Sequence, residues 1–503
     1  MRRLAVAAAA FLLARALAAQ APPAAAAPPA SPLVEALTGP SSRLEPELRI
    51  LTDEVGGRPS GSAAYERALK WGLDAFRRAG VDAKLEPYTA PARWEGISAT
   101  AAVVSPLAFP LRVVSFGLAP STPGAVRAPL ADAGFGTRKE IEALGEKARG
   151  AILLVDTREM KSFEELFAEY QNGPEMMAAA VAARAAALLV VSTRPRDLLY
   201  RHSITWGAIA PIPMAQVARE DGERLVRLCR SSSGGATTTP GGCPTVELDV
   251  RNRVGGAWQA QNVVAEIRGS EKPDEIVLLG AHLDSWDLGT GAQDNGVNCA
   301  LVVDVARALA AGPRPRRTVR FALFTNEETG LLGSLGYVRG HRDELARHVA
   351  AIVHDIGDGK VKGYFTNGRT DLNAAVARAL EPAGSLGATG LDETAILGTD
   401  NFDFLLEGVP NFVADQETAR YLPDYHAESD TFDKIDLETA RRNAAVAAIL
   451  VAGLANAPSA PGPRQSRAEI ERILADPRWK LDGQMKSYAI WDAWQRGERG
   501  RKP

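Results

Sequence analysis

Seven side chains in the second half of the chain are of types that bind hard or borderline metal ions: His282, Asp284, Asp294, Glu327, Glu328, Asp355 and His426. His282 and Asp284 follow the apolar run 276–281. Glu327 and Glu328 follow the run 318–325 with Asn326 between, and Asp355 follows 349–353 with His354 between. Asp294 lies in the Gly-rich stretch 289–296, and His426 in a late loop at 421–430. Imidazole and carboxylate without thiolate suit a catalytic zinc, or manganese or cobalt in its place. Two ions about 3.5–4 Å apart need a bridging carboxylate and a spare base to activate water, and this set is large enough for both. Singly, each residue has a plainer explanation. A Glu-Glu pair at a strand end is usually a solvated turn, and a His before a loop more often packs or caps. The recurrence at three strand ends argues for a metal site.

Other chemistries find no support. Gly289-x-Gly291 follows a strand, but Asp294 stands where a dinucleotide loop needs its third Gly. There is no G-x-S-x-G nucleophile elbow and no H-E-x-x-H helix. Three Cys are too few for a disulfide scaffold or a thiolate zinc ribbon. Cys229 and Cys243 flank a Ser/Gly/Thr/Pro-rich stretch and are either bridged or two free thiols; Cys299 reads as core. The 58 basic and 61 acidic residues are interleaved, with net charge −3 and no basic stripe, so nucleic acid is not expected as a partner. With only six His in 503 residues, a metal site must lean on carboxylates.

The elements that would position these residues alternate in type. After 262, the apolar runs 276–281, 318–325, 349–353 and 411–413 are separated by helical stretches at 299–311, 331–345 and 371–380, and 437–454 closes the series. That alternation predicts an α/β fold with a mixed, largely parallel sheet covered by helices, and ligands at the carboxyl ends of its strands. Residues 44–80 read as helical with one break at 56–61. Between 95 and 257 short β-type runs dominate (101–104, 111–116, 151–155, 187–192, 245–250), joined by helices at 161–175 and 220–229. At the start, Arg2 and Arg3 precede the apolar run 4–13, and small residues at 16–18 or 19–21 fit a signal-peptidase site. Arg15 leaves that run too short to span a bilayer, so an exported protein, secreted or periplasmic, is expected. Cleavage would remove three Arg and take the net charge from −3 to −6. A Pro/Ala linker follows, and no later apolar run is long enough to cross a membrane.

At these residues the chain resembles the di-zinc exopeptidases that include bacterial aminopeptidases and glutamate carboxypeptidases. The resemblance rests on Gly280-Ala-His-Leu-Asp-Ser-Trp-Asp-Leu-Gly289, Gly291-Ala-Gln-Asp-Asn-Gly296, Asn326-Glu-Glu-Thr-Gly330 and Asp424-Tyr-His-Ala-Glu-Ser-Asp-Thr431, with Gly398-Thr-Asp-Asn401 and Gly408-Val-Pro410 in support. It covers roughly 44–454. It implies two Zn2+ per chain, one held by His282, Asp294 and Asp355, the other by Asp294, Glu328 and His426. Asp284 would bind the far nitrogen of His282, Glu327 would be the general base, and Tyr425 would donate to the oxyanion. The stretches 148–155, 185–192 and 212–217 resemble a protease-associated domain, expected to be mostly β, to be inserted before the peptidase sheet and to help cover the cleft. Within it, 200–206 is a candidate lid or substrate loop, or simply a surface loop.

The organisation expected is a signal peptide at 1–21, a linker at 22–43, an N-terminal helical part of the peptidase domain at 44–94, the insert at 95–257, the di-zinc peptidase domain at 258–457 and a tail at 458–503. In the tail, Trp479, Trp491 and Trp494 suggest a docked helix, with 496–502 a basic loose end. The function implied is hydrolysis of dipeptides or short peptides, by a monomer or a homodimer. The alternatives are a non-catalytic binding protein of the same architecture and a single-zinc glutaminyl cyclase. Two positions depart from the family. Asn295 stands where many relatives have a second Asp, and His354 has no role to inherit. The substrate end stays open, since Arg201, Arg253, Lys360, Lys362, Arg369 and Arg420 are all cations that would suit a carboxylate.

Overall fold

The structure is a computed structural model that describes residues 31–231 and 242–502. The expected signal peptide and residues 22–30 of the expected linker lie outside the described residues. None of the described helices is long and apolar enough to cross a membrane.

The body that carries the metal-binding types is built on an eight-stranded sheet. Its centre is four parallel strands in the order Arg317–Phe324, Lys272–His282, His348–Val353, Asn411–Gln416. Ala83–Ala90 and Trp258–Ile267 add antiparallel strands on one side, and Val361–Phe365 adds one on the other. The central strands are apolar on both faces, as a sheet covered on both sides requires. Val277, Leu279 and Ala281 pack in one core with the helices Ala63–Arg78, Val297–Ala310 and Leu437–Asn456. Leu278, Ala322 and Phe324 pack in another with Leu335 of helix Leu332–Gly340 and Phe404 of helix Asn401–Leu406. Register aligns the strand ends: His282 pairs with Phe324, and Gly280 with Val353. The residues just beyond these positions therefore emerge at one edge.

A second eight-stranded sheet occupies most of residues 93–255. The strands Arg93–Ser105 and Thr245–Gly255 pair antiparallel at its entry and exit. Its middle strands Val126–Asp132, Ile152–Val155, Ala187–Val191 and Met214–Val217 are parallel. Helices Phe163–Ala182 and Arg219–Ser231 lie where helical connections were expected at 161–175 and 220–229, and Arg138–Ala143 adds one that was not expected. Parallel neighbours cannot be joined by hairpins, so crossover helices follow from the topology. Cys229 and Cys243 form a disulfide, and Cys299 is buried and free.

Three further expectations change. Residues 22–43 are not all linker: Pro32–Thr38 is a helix with Leu37 fully buried, and Asp304 accepts hydrogen bonds from Ser42 Oγ (2.7 Å) and Arg43 N (3.0 Å). Proline at the first helical turn starts a helix as readily as it extends a linker. Residues 44–94 are not only helical, because Ala83–Ala90 is an edge strand; Pro87 is tolerated there since no further strand needs its missing N–H. The tail is not one helix with a loose end. Arg467–Leu474, Leu481–Ser487 and Trp491–Gln495 pack against Leu397, Phe402 and Leu406. Arg499 then makes a buried two-pronged ion pair with Asp403 (2.9 and 2.8 Å), and Arg501 N donates to Leu406 O.

Candidate metal centre

The three central strands deliver their carboxyl-end residues to one cluster. His282 Nε2 is 3.0 Å from Asp294 Oδ1 and 2.9 Å from Asp355 Oδ1. His426 Nε2 is 3.3 Å from the other oxygen of Asp294 and 2.9 Å from Glu328 Oε2. Two ligands at about 2.0–2.1 Å from one tetrahedral ion stand roughly 3.3 Å apart, so these separations match ligands that share an ion. The groups His282, Asp294, Asp355 and Asp294, Glu328, His426 each gather one ligand atom per residue within 4.8 Å. Asp294 belongs to both, with one oxygen turned to each imidazole.

The donor set fits cations on two further grounds. No Lys or Arg lies within ion-pair distance of Asp294, Asp355, Glu327 or Glu328 among the described residues, so their negative charge has no protein cation to offset it. Among the described residues, Glu328 Oε1, Asp284 Oδ2 and both oxygens of Asp400 are buried without a hydrogen-bond partner. The groups titrate accordingly. Burial, opposed by His426 but reinforced by Asp294, pushes Glu328 up to about 7. Burial, with Asp355 and Asp284 nearby, pushes Asp400 up to about 8, and burial lifts Glu327 well above the carboxylate range. Burial would lower the two imidazoles, but the surrounding carboxylates win: Glu328 and Asp294 raise His426 to about 9, and Asp355 and Glu327 lift His282 well above its ordinary value.

Surrounding groups fix each side chain. The far nitrogen of His282, Nδ1, lies 2.9 Å from the backbone carbonyl of Asp284, while the Asp284 carboxylate is 3.8 Å away. The expected carboxylate partner is thus replaced by that residue's own main chain. Asp284 Oδ1 instead accepts from Glu327 N (3.2 Å). Asn295 Nδ2 donates to Asp355 Oδ1 (3.0 Å) and to the His354 carbonyl (3.0 Å). That gives the departure from Asp at this position a positioning use that a carboxylate could not supply. Glu327 offers its carboxylate to the cavity with no hydrogen bond to it among the described residues. Tyr425 stacks on His426 with ring centres 3.6 Å apart, and its hydroxyl is 2.7 Å from that of Tyr170. His354 lies in neither group; its Nε2 is 3.0 Å from Tyr364 Oη, and burial lowers it to about 3.

Three contributors were not singled out by sequence, and a fourth, Arg201, was considered only as a cation for a substrate carboxylate. Tyr421 Oη donates to Asp294 Oδ2 (3.0 Å). Asp430 accepts from the backbone of Gln293 (2.6 Å) and Asp294 (3.1 Å), holding the loop that presents Asp294. Arg58 is fully buried and donates to the carbonyls of Leu283, Thr290 and Gly291, tying the strand end to the same loop. Its neighbour must be Gly57, because a Cβ there would lie 2.7 Å from Asp287 Cα and Gly289 O. Arg201 clamps His426 through main-chain atoms: its N–H donates to His426 O (2.9 Å), and its carbonyl accepts from His426 Nδ1 (3.0 Å). The 56–61 break and the 424–431 motif were the available signals for Arg58 and Asp430. Nothing local marks Tyr421 or the Arg201 backbone. Residues 200–206 are thus more than a surface loop, since they hold a cluster histidine and place Trp206 on the cavity wall.

That cavity, about 450 Å³, is lined by His282, Asp294, Glu327, Glu328, Asp355, Tyr425 and His426. Of the six cations considered for a carboxylate, Lys362 lines it, close to Asp415 (3.1 Å). Arg201, Arg253, Arg369 and Arg420 pair with Asp287, Glu95, Asp371 and Asp358. Another cavity of about 470 Å³ lies in the second-sheet body and contains none of the metal-binding residues.

Residues 262–451 match the sequence model of peptidase family M28. Carboxypeptidase Q of Xenopus laevis is 26% identical over 395 residues, covering 76% of this chain and 80% of that protein. The solved structure of a peptidase M28 precursor from Shewanella amazonensis SB2B superposes with TM-score 0.76 at 28% identity, covering 86% of this chain and 97% of the other. A zinc aminopeptidase from Bacillus subtilis shares the fold, with TM-score 0.64 at 22% identity over 81% of this chain and 93% of its own.

Proposed function

We propose that this chain, a metallo-exopeptidase of the peptidase family M28 type, is an exported di-zinc enzyme that hydrolyses dipeptides or short peptides. The observation that carries the reading is Asp294, whose two oxygens face two different imidazoles, each backed by a further carboxylate. His282, Asp294 and Asp355 would hold one ion and Asp294, Glu328 and His426 the other. Four carboxylates, counting Glu327, balance two dications. When bound, the ions supply Lewis acidity to the scissile carbonyl and to the attacking water.

The protein's own groups do the rest. Glu327, not committed to a ligand position and facing the cavity, takes the proton from the attacking water and passes it to the leaving amine. A carboxylate that also bound a cation would be a weaker base. Asp284 sets the backbone of Glu327 through its 3.2 Å hydrogen bond. Tyr425 presents its hydroxyl at the cavity as the donor to the carbonyl oxygen as it gains charge. Lys362 is the cation placed to read a free carboxylate. We read the second-sheet body, 95–257, as a protease-associated insert that walls the cleft, and 258–457 with the N-terminal 44–94 as the peptidase body.

The test uses chelator-treated protein, zinc re-addition and a dipeptide panel with free, acetylated and amidated ends. Chelation should abolish cleavage and two equivalents of zinc should restore it. Restoration by one equivalent would remove the shared-carboxylate reading. Loss on acetylation alone marks an aminopeptidase mode, loss on amidation alone marks carboxylate recognition, and loss on both marks a dipeptidase.

A further inference from the structure

The tail lies outside the residues that match the family, yet it reaches the cavity. Tyr488, between the tail helices Leu481–Ser487 and Trp491–Gln495, lines the same cavity as the metal cluster. Its ring stacks on Trp206 of the second-sheet body, with centres 4.2 Å apart and planes at 19°, and meets Tyr170 edge-on at 6.2 Å. Tyr170 in turn touches Tyr425. An unbroken aromatic path therefore runs from the tail to the residue beside His426. The tail is held firmly enough to be a wall. Trp494 is fully buried with the Arg467 guanidinium 3.4 Å over its ring, and Arg499 pairs with buried Asp403.

We infer that the C-terminal tail is a specificity element: Tyr488 and Trp206 form an aromatic end wall that favours substrates with apolar or aromatic side chains and limits their length. The inference rests on the peptidase reading above. About 450 Å³ is at the small end of the roughly 300–1,000 Å³ that drug-sized ligands occupy, so removing one ring from the wall changes capacity substantially. Aromatic contacts contribute free energy beyond the area they bury, which links side-chain preference to this pair.

The test compares wild type, Tyr488→Ala and Tyr488→Phe, all zinc-loaded and checked by thermal melt, on Ala-Ala, Leu-Phe and a tetrapeptide. Tyr488→Ala should raise KM for Leu-Phe about tenfold, leave kcat for it within about twofold, and improve kcat/KM for the tetrapeptide relative to Ala-Ala. Tyr488→Phe, which keeps the ring, should restore the preference. An equal loss on all three peptides, or no change, overturns the inference. If Tyr488→Ala fails to fold, Trp206→Ala is measured instead and must shift the same ratios. Failure of wild type to cleave any dipeptide is a different outcome, and it falls on the peptidase reading.

Discussion

Glu327 and Glu328 are adjacent and chemically alike, yet the strand end turns them to different uses. Glu328 Oε2 approaches His426 at 2.9 Å, while the Glu327 carboxylate faces the cavity and accepts no hydrogen bond among the described residues. If Glu327 is the base, as proposed above, replacing it by Gln removes the base without removing a ligand. It should lower kcat by about 10²–10⁴ while metal content stays at the wild-type level, measured by elemental analysis on the same sample. Full activity in Glu327→Gln would transfer the role to another group. At this scale the sequence was informative about type and silent about partner. It offered His282 with Asp284, but not that the Asp284 carbonyl, rather than its carboxylate, would meet Nδ1. Side-chain type follows from the codon, whereas which atom of a residue arrives depends on the turn made after the strand.

Elements inherit their positions from a few long-range contacts. Helix Asn401–Leu406 follows Thr399, which lines the cavity, and carries Asp403, which is fully buried and paired with Arg499 of the tail. Removing one partner of a buried pair leaves the other charge unpaired, so Arg499→Met should cost about 3–5 kcal/mol in a denaturant melt. It should also raise limited proteolysis within 467–502. An unchanged midpoint would mean that the apolar contacts of Trp494 and Ile490 hold the tail alone. The strands 272–282, 317–324 and 348–353 were legible because buried parallel strands need uninterrupted apolar runs. Helix Pro32–Thr38, strand Ala83–Ala90 and the ordered 496–502 were not. Each is short, and each is stabilised by residues far along the chain: Arg307, which donates to the Ala36 carbonyl, strand Trp258–Ile267, and Asp403 respectively.

For the whole molecule, the cluster makes stability depend jointly on protons and cations. Glu328 and Asp430 near 7, Asp400 near 8 and His426 near 9 all lie above their ordinary values. The folded chain therefore holds these protons more tightly than the unfolded one; without cations this stability is fully present below about pH 4 and is lost as pH rises, between about 4 and 7–8 for the three acids and between about 6.5 and 9 for His426. Burial depresses His202 to about 3 and His348 to about 4, so their contribution is present above about 6.5 and lost as pH falls toward 4. Above about pH 6.5 only the losses remain, through the acids and His426, so chelated protein should melt at a lower temperature at pH 9 than at pH 6.5. Added zinc should raise the melting temperature more at pH 8 than at pH 5, because protons compete for the same oxygens. Calorimetry at both pH values checks this, and an equal shift at both would place the cation elsewhere.

The sequence by itself determined which chemistry was available. His282 and several carboxylates at successive strand ends, with His426 in a late loop, pointed to a metal site, the family resemblance implied hydrolysis there, and apolar runs alternating with helices dictate a covered parallel sheet. Only the tertiary structure decided that Asp294 stands between His282 and His426, that a backbone clamp from Arg201, in a loop of the second-sheet body, fixes His426, and that a tail residue, Tyr488, lines the cavity. Periodicity and residue type are local properties, set by what a strand or helix must bury. Which distant segment completes a site depends on how layers pack, and that free energy is shared among contacts spread over the whole chain.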